Sequence, residues 1–417
     1  MGKDVLIRDF WERTILTKHN PKILLISASD FNNDSRLQRI HRHAENLHSE
    51  VITIAYGKPS LNKNKILSPI PVRSLFARLL DVSKMLLSRA LPDKLLLELL
   101  SKRHITKDLR ENSFNSSKES PFEFVIVKHW TSLPIAMLLH GNPQIWLDIN
   151  EVFEAEHDNS KLWQLIYKPV IIRLLNLAKY RIVLRSATSL DQIKYMRDDT
   201  VLHLPNTKEP IKLDQTQKRN GEKIKLLYHG LITTNRSLET AIKALHQCGR
   251  PDLQLTIRGS GKPKYINNLK ALVDQLNLTS QVHFEPSIEN NKLIEAASHY
   301  DVGLCLFDNQ SQQLILAEPN KIYEYMAAGL GIIASDTPTM RRLVEEQNIG
   351  LLTRITNERV TSLTQVFQNL SHEQISTWQE NSHIQASQTW LKNYDWPKLD
   401  SFLKQIQQDL ATTANKK

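Results

Sequence analysis

A short segment in the second half of the chain combines residues that could bind an anion. The segment is PNKIYEYMAAGLGIIASDTP, residues 319–338. Proline is favoured in the first turn of a helix and glycine just after the last, so a helix should begin at Pro319 and stop at Gly329. The free amides of Asn320 and Lys321 would then point out of the helix N-terminus, where the helix dipole favours an anion. With the Lys321 ammonium beside them, these groups predict a phosphate site.

A carboxylate lies about one turn further along the same helix. Glu324 shares a face with Asn320 and Lys321, where it would repel a phosphate in direct contact but could accept hydrogen bonds from a sugar hydroxyl. A phosphate at the helix tip and a ribose beside Glu324 describe a nucleoside diphosphate. The same spacing also fits an ordinary capped helix with a solvated lysine and glutamate, and the residues alone leave both interpretations open.

Alternating strand and helix patterns place this segment in the second of two α/β domains. In the first half, the strand KILLIS, the helical stretch DSRLQRIHRHAENLH and the strand EVITIAYG form a βαβ unit. The second half repeats the alternation, with IKLLYHG, LQLTIRGSG, VHFEP, DVGLCLF and GIIASD as strands. The pattern predicts two Rossmann-like, doubly wound parallel-sheet domains facing across a cleft, with ligands at the carboxyl ends of the strands. The predicted units are residues 1–206, a polar linker 207–223, residues 224–385 and a helical tail 386–417.

Residues 72–106 are rich in leucine, arginine and lysine at helical spacing, and Pro92 divides them into two predicted helices. They could be helices packed on the core, or a basic amphipathic surface lying on an anionic membrane. The polar run 110–123 that follows is predicted to be a loop. The cations that favour a membrane surface are Arg73, Arg78, Lys84, Arg89, Lys94, Lys102 and Arg103.

The composition is that of a folded protein of two or three domains. Of the 417 residues, 41% are hydrophobic and 24% charged, as in ordinary globular proteins. Two cysteines cannot form a disulfide framework, and Cys305 in the apolar run DVGLCLF is expected to be a buried free thiol. The charged first residues and the lack of an apolar run of about 18 residues predict a cytosolic protein. The net charge of +10 suits phosphorylated ligands or an anionic membrane, whereas cations dispersed among leucines argue against nucleic acid.

The segment EPNKIYEYMAAGLGIIASDTP resembles the nucleotide-binding segment of GT-B glycosyltransferases, in particular the family 4-like enzymes of bacterial surface-polysaccharide synthesis. The resemblance covers most of the chain. LLYHGLITTNRSLETAIKAL is similar to the first strand and helix of their C-terminal domain, where a basic residue after the glycine turn binds donor phosphate. LTIRGSG and VHFEP match the next two strands. The resemblance therefore implies a donor site made of Gly230, Arg236, Gly259, Gly261, Pro319, Asn320, Lys321 and Glu324.

The N-terminal half resembles the same family through two further segments. FVIVKHWTSLPIA matches the segment that carries the family's active-site histidine, which implies a role for His129 near the transferred sugar. WLDINEVFEAE resembles an Asp-x-His-Glu element through Asp148 and Glu151. This pair could be a helix cap and a solvated charge, or could bind the acceptor or serve as general base in an inverting enzyme. Ser35 and Arg36, which follow the first strand, are expected on the acceptor side.

Three positions depart from the family pattern. Leu316 stands where the family often has the first of two glutamates with seven residues between them, the second being Glu324 here. Leu231 replaces a basic residue after Gly230, and Asn150 replaces the histidine of Asp-x-His-Glu.

Two common phosphate or metal motifs are excluded by the sequence. There is no Asp-x-Asp, and GSGK at 259–262 is not a P-loop because Thr256 and Pro263 replace the required residues. The resemblance instead implies that Arg236 and Lys321, without a metal, neutralise the diphosphate leaving group.

The resemblance implies a glycosyltransferase that moves a sugar from a nucleoside-diphosphate-sugar donor to a glycan acceptor. The acceptor is expected to be lipid-linked and to belong to capsule, O-antigen or exopolysaccharide synthesis. No cofactor is expected, because the nucleotide sugar is a substrate, and the helices near 72–106 are expected to hold the protein on the inner face of the cell membrane. Two alternatives stay open: a nucleotide-sugar epimerase of the same fold, and a degenerate GT-B scaffold subunit, which Leu316 motivates.

Overall fold

The structure is a computed structural model. It describes residues 22–46, 50–58, 60, 62, 64–71, 74–149, 151–157, 160–178, 180–185, 201–203, 205–210, 223–307, 312–354 and 358–387.

The two halves of the chain each build one parallel sheet from the apolar runs seen in the sequence. Such runs suit parallel strands, because helices cover both faces of the sheet. In the first half the strands are β1 (Lys22–Asp30), β2 (Glu50–Tyr56), β3 (Lys65–Ser68), β4 (Phe124–Lys128), β5 (Gln144–Ile149), β6 (Tyr180–Arg185) and β7 (Val201–His203). In the second half they are β8 (Ile224–His229), β9 (Leu253–Arg258), β10 (Val282–Glu285), β11 (Val302–Cys305), β12 (Gly331–Ser335) and β13 (Gly350–Thr353). The predicted pair of doubly wound parallel-sheet domains is confirmed.

Both sheets share one strand order. The first runs β3-β2-β1-β4-β5-β6-β7 and the second β10-β9-β8-β11-β12-β13, and every pair is parallel. The order therefore reverses between β1 and β4 in the first domain and between β8 and β11 in the second. Crevices at such reversal points, beyond the carboxyl ends of the strands, are where open α/β sheets bind ligands.

Helices pack on both faces of each sheet and complete the two cores. The N-terminal domain has α1 (Ser35–Asn46), α2 (Leu75–Ser88), α3 (Asp93–Ser101), α4 (Lys107–Glu119), α5 (Leu133–Ala136), α6 (Lys161–Ile166) and α7 (Lys168–Leu177). The C-terminal domain has α8 (Leu238–Cys248), α9 (Pro263–Gln275), α10 (Leu293–Ala297), α11 (Gln312–Leu316), α12 (Asn320–Ala327), α13 (Pro338–Met340), α14 (Arg359–Asn369) and α15 (His372–Ile384). Cys248 and Cys305 are buried free thiols, as predicted for Cys305.

The prediction of a loop over 110–123 is wrong, because α4 occupies most of that stretch. Its polar sequence hides a narrow apolar face, on which Leu109 is fully buried in the core of the N-terminal domain and Phe114 packs against the same core. Tertiary burial of that face outweighs the weak helix propensity of the serines and asparagines.

The leucine-rich stretch forms two helices on either side of Pro92, as predicted: α2 ends before this proline and α3 begins directly after it. α3 buries Leu96, Leu97 and Leu100, so it is a core helix. α2 buries only its small or polar residues and Met85, and leaves large apolar side chains in solvent. The exposed side chains of α2 include Leu75, Phe76, Leu79, Leu80, Leu86 and Leu87. Within the described residues, no helix is both long and apolar enough to cross a membrane.

The domain boundaries stay predictions. Residues 211–222 of the predicted linker and residues 388–417 of the predicted tail lie outside the described residues. α15, which precedes the tail, packs Ile375 and Trp378 into the core of the C-terminal domain.

Candidate active site

A cleft of about 660 Å³ lies between the two domains at both strand-order reversals. Ser29 and Lys128, at the ends of β1 and β4, line its N-terminal wall. His229 at the end of β8 and Phe307 after β11 line its C-terminal wall. The cleft therefore occupies the position where this strand order binds ligands.

α12 begins and ends where the sequence predicts. Pro319 is its N-cap residue and Asn320 its first residue, and the Gly329 amide donates to the Met326 carbonyl at the other end. The helix buries Ile322 and Tyr325. Pro319, Asn320, Lys321 and Glu324 all line the cleft. The free amides of the first turn therefore lie at the cleft, as the predicted phosphate site requires.

Two cations lie on the C-terminal wall of the cleft. Lys321 Nζ lies over the Tyr228 ring at 4.0 Å from its centroid, and Arg236 Cζ lies 5.1 Å from the centroid of Phe307. Burial lowers the pKa of Lys321 to about 8, and the nearby Arg236 charge works in the same direction. An anion between the two cations would offset both the desolvation of Lys321 and its repulsion by Arg236, as expected of a diphosphate site.

Glu324 is held by two basic side chains. Its carboxylate lies 3.0 Å from His229 Nε2 and 3.8 Å from Lys208 Nζ. Burial alone would raise the pKa of Glu324, yet the hydrogen bond and charge of His229, with Lys208 and Lys321, bring it below its ordinary value. Glu324 is thus an ionised acceptor that faces the cleft, which suits a sugar hydroxyl.

The three predicted glycines have different positions. Gly230 lines the cleft, and a Cβ added to it would lie 3.8 Å from Lys321 Nζ. Gly259 and Gly261 do not line the cleft. A Cβ added to Gly259 would lie 1.8 Å from the Gly230 carbonyl oxygen, and one added to Gly261 would lie 2.2 Å from the Ile232 carbonyl oxygen. They therefore allow neighbouring backbones to approach closely at Gly230 and at Ile232. Their predicted part in donor binding stays a prediction.

Asp148 is a buried ion-pair partner at the end of β5. Its carboxylate accepts from Arg36 Nε at 2.9 Å and from Arg36 Nη2 at 2.6 Å, while Arg36 Nη1 donates to Asn206 at 3.2 Å. Asp148 is fully buried and does not line the cleft, whereas Arg36 does. This placement corrects the expectation of a general base or acceptor ligand at Asp148 and favours a role in fixing Arg36.

Glu151 lies at the mouth of the cleft and touches both domains. Gln313 Nε2 of α11 donates to its carboxylate at 2.7 Å. Although part of the side chain reaches solvent, the cleft walls desolvate the carboxylate and raise its pKa, and neighbouring Glu156 adds to the shift. A carboxylate with a raised pKa is suited to accept a proton. The catalytic role of Glu151 stays a prediction.

His129 does not line the interdomain cleft. It faces a second cavity of about 610 Å³, which we call the N-terminal cavity, lined by Ser27, Arg103, Lys128, Trp130, Glu156, Trp163 and Tyr167 among others. His129 Nε2 lies 2.5 Å from Glu156 Oε1, and its Nδ1 accepts from the Thr131 amide at 3.3 Å. Its predicted role at the transferred sugar stays a prediction.

Sequence reasoning missed an ion pair at the reversal point of the first sheet. Lys128, the last residue of β4, pairs with Asp34, which also accepts from Ser29 Oγ at 2.6 Å. Burial works against ionisation of Asp34, but Lys128 and these hydrogen bonds lower its pKa. The available signal was the position of Lys128 at the end of one strand and of Asp34 shortly beyond the end of the neighbouring strand.

Two of the three residues that depart from the family pattern, Leu316 and Leu231, lie within the described residues. Leu316 packs against the core of the N-terminal domain, so α11 contacts the opposite domain through Leu316 and Gln313. Leu231 is 60% exposed. Glu318, two residues beyond Leu316, is buried on the cleft wall, where Tyr323 Oη donates to it and Arg342 lies 3.3 Å away. Asn150 lies outside the described residues.

Searched over the described residues, the side chains show no group of three or more His, Cys, Asp or Glu that could hold a metal ion. Transfer without a metal stays a prediction.

Comparison with known proteins shows which fold the chain shares and which family's sequence pattern its C-terminal half matches. The family model for glycosyl transferases group 1 matches residues 211–383. No curated protein matches the chain in sequence. Solved structures with a similar fold include three proteins that the chain covers over most of their length. A sucrose-phosphate synthase from Thermosynechococcus elongatus is 15% identical, with 94% of this chain and 100% of that chain covered and a TM-score of 0.69. Anabaena HepE in complex with UDP and glucose is 14% identical, with 94% of this chain and 100% of that chain covered and a TM-score of 0.64. WaaG, a glycosyltransferase involved in lipopolysaccharide biosynthesis, is 14% identical, with 92% of this chain and 99% of that chain covered and a TM-score of 0.63.

At such low identities the structural likeness shows the fold alone, and the group 1 match adds a sequence pattern in the C-terminal half. The chain therefore has the GT-B fold, and its residues 211–383 match the family model for glycosyl transferases group 1.

Proposed function

We propose that the protein transfers a sugar from a nucleoside-diphosphate sugar, bound by the C-terminal domain, to a lipid-linked glycan at the surface of an anionic membrane. The observation that carries the donor assignment is the convergence of the α12 N-terminus, Lys321 and Arg236 on one wall of the cleft. Helix amides and two cations suit a diphosphate. Glu324, one turn further along α12, suits the ribose.

The chemistry of transfer follows from these groups. The acceptor oxygen forms a bond to the anomeric carbon while the bond from that carbon to the diphosphate oxygen breaks. Arg236 and Lys321 stabilise the negative charge that develops on the leaving diphosphate. The acceptor proton passes to a base at the meeting point of the domains, where Glu151 combines cleft exposure with a raised pKa. Gln313 and Leu316 hold the domains together and so limit the access of water to the donor.

An exposed apolar surface supports the membrane part of the proposal. Leu75, Phe76, Leu79 and Leu80 of α2 are exposed, and α6, which packs beside α2, exposes Leu162 and Leu165. Large apolar side chains exposed on two helices that pack together are typical of an interaction surface.

The charges around this surface support an anionic lipid surface, rather than a protein, as its partner. Arg78 and Arg89 on α2 and its end are exposed, as are Lys94 and Lys102 on α3 and its end. Leucines flanked by such cations suit a leaflet of acidic lipids. Two of the predicted cations are not part of this exposed surface. Lys84 donates to the Lys102 carbonyl, and Arg103 is buried at the N-terminal cavity. The side chain of Arg73 lies outside the described residues.

A thermal-shift panel tests the donor class. UDP, GDP, CMP, ADP and their common sugar conjugates are added without metal, beginning with UDP because the similar fold of HepE holds it. We expect one nucleoside diphosphate to raise the melting temperature, since a ligand that binds only the folded state stabilises it. The lack of a shift with every compound would favour the scaffold alternative, and interconversion of free nucleotide sugars without an acceptor would favour the epimerase.

The acceptor class needs a separate readout. With a radiolabelled donor and bacterial membranes, label should move into the organic-extractable lipid fraction. Label that stays entirely in water-soluble products would contradict a lipid-linked acceptor while leaving sugar transfer intact.

A further inference from the structure

A pocket on the C-terminal domain lies outside the interdomain cleft. Its volume is about 280 Å³, and we call it the β9 pocket because alternate residues of that strand, Gln254, Thr256 and Arg258, form one side of it. Its other lining residues are Lys225, Ala296, His299 and Tyr300. None of these described residues lines the cleft or the N-terminal cavity. The proposed binding of a donor in the cleft therefore does not explain the β9 pocket.

Arg258 brings a buried charge to this pocket. The residue is only 7% exposed. Its Nε donates to Glu285 Oε2 at 2.7 Å, and its Nη2 donates to Tyr300 Oη at 3.1 Å. Its Nη1 is also buried, yet no described residue accepts a hydrogen bond from it. A guanidinium stays protonated, so this buried end is costly unless a ligand or water supplies an acceptor.

The other polar groups of the β9 pocket favour a negatively charged ligand. Lys225 adds a second cation, whose side chain is exposed and free to move toward a ligand. Among the described residues, no carboxylate lines the pocket. Glu285 pairs with Arg258 from outside the lining and so offsets only one of the two positive charges. A guanidinium and an ammonium that share a space without a carboxylate suit an oxyanion.

The size and the lining of the pocket narrow the ligand further. One water molecule would satisfy Arg258 Nη1 but would fill little of the pocket, because a water occupies about 30 Å³ in the liquid. The volume of about 280 Å³ suits a small molecule. Ala296 is the one apolar residue in the described lining, so an acyl chain would gain little contact there.

We propose that the β9 pocket binds the phosphate group of a small soluble phosphate monoester, which accepts hydrogen bonds from Arg258 Nη1 and from the Lys225 ammonium. A phosphate offers several charged oxygens, so it can pair with both cations at once. Phospholipid headgroups share this chemistry, but the lack of apolar lining favours a soluble source. The inference does not depend on the proposed sugar transfer, since no nucleotide takes part.

Titration calorimetry at constant ionic strength tests this inference, with glycerol 3-phosphate and inorganic phosphate as probes. Phosphate could also bind in the cleft, so the parent protein is the full chain carrying Arg236→Gln and Lys321→Met. These changes remove both cations of the cleft wall and keep most of the side-chain volume. We expect saturable binding of both probes to this parent.

Two further substitutions in the parent locate the bound phosphate. Arg258→Lys keeps a positive charge but removes Nη1, and it should weaken binding by at least about tenfold. Lys225→Ala changes an exposed side chain and should weaken binding by about threefold. Lys225→Ala keeps the test valid if circular dichroism shows that Arg258→Lys does not fold. Lys264→Ala, at an exposed lysine of α9, is the matched control and should bind as the parent does.

Three results would count against the inference. The site is overturned if the folded parent shows no saturable binding of either probe. It is equally overturned if Lys225→Ala and a folded Arg258→Lys bind phosphate as tightly as the parent. Tighter binding of dihexanoyl phosphatidic acid than of glycerol 3-phosphate would overturn the soluble source and assign the pocket to a lipid headgroup.

Discussion

His229 Nε2 lies 3.0 Å from Glu324 Oε2, and the imidazole stacks on Tyr325 at 4.6 Å between ring centroids. His229 ends β8 and Glu324 lies on α12, so the contact ties the second strand-order reversal to the helix expected to bind the donor. The carboxylate is thereby kept ionised and aimed before any ligand arrives. Preorganised acceptors of this kind bind hydroxyls without a large ordering cost.

Glu324→Ala should weaken binding of the nucleoside diphosphate by roughly tenfold, the cost of losing one hydrogen bond to a charged group. Isothermal titration calorimetry measures the dissociation constant. Glu345→Ala, at an exposed site of the same domain, is the matched control. An unchanged dissociation constant for Glu324→Ala would remove Glu324 from the donor site.

Nucleotide affinity should fall as the pH rises through about 8. The pKa of Lys321 is lowered to about 8 by burial, so the free protein loses this positive charge above that pH, whereas a bound diphosphate favours the charged form. Binding above pH 8 should therefore take up a proton, and affinity should drop by up to about tenfold per pH unit. Calorimetry in two buffers of different ionisation enthalpy detects the proton.

Lys321→Arg provides the control for this pH dependence, because arginine stays charged throughout the range. Its affinity should be flat between pH 7 and 9.5. A wild-type affinity that is equally flat would show that Lys321 does not contact the diphosphate.

Asp148→Asn should lower stability, whereas Glu151→Gln should lower turnover. Asp148 is fully buried against Arg36, and breaking a buried ion pair by neutralising one partner costs about 3 kcal/mol or more. Glu151 is partly exposed, so its amide variant should change stability by no more than about 0.5 kcal/mol. Denaturant unfolding and steady-state kinetics measured on both variants separate the two roles. If Asp148→Asn were fully stable yet inactive, Asp148 would return as a candidate base.

Replacing Arg78, Arg89 and Lys94 by serine should release the protein from anionic vesicles. Each cation near such a surface contributes about 1 kcal/mol, so three should lower the partition coefficient on the order of 100-fold. Sedimentation with phosphatidylglycerol vesicles measures the bound fraction. The control changes the same number of exposed charges in the other domain, at Lys243, Lys262 and Lys264. Equal losses in both variants would indicate nonspecific attraction by net charge, and no loss in either would place the membrane surface elsewhere.

The fold could be predicted from sequence because parallel strands bury both faces and so appear as uninterrupted apolar runs. The α12 segment could be placed for a similar reason, since Pro319 and Gly329 mark its ends locally. The helix α4 could not, because its identity depends on the burial of Leu109 and Phe114 by distant residues.

The site was predictable only where it is local in sequence. Lys321 and Glu324 share one helix, and both line the cleft. In the sequence, Asp148 and Gly259 resemble residues that bind ligands. In the structure, Asp148 binds Arg36 and Gly259 packs against the Gly230 carbonyl, and these partners are remote in the chain and could not be predicted. The division between the cleft and the N-terminal cavity, which separates His129 from Lys321 and Glu324, likewise arises only from tertiary packing.

The most direct measurement is the turnover of Arg236→Ala with saturating donor, compared with its affinity for the nucleoside alone. The account predicts that turnover falls much more than nucleoside affinity, because Arg236 stabilises charge that appears on the diphosphate as the sugar departs. Arg236→Lys, which keeps the charge, should recover part of the turnover. Equal losses in turnover and nucleoside affinity, or no loss in either, would contradict sugar transfer driven by this pair of cations.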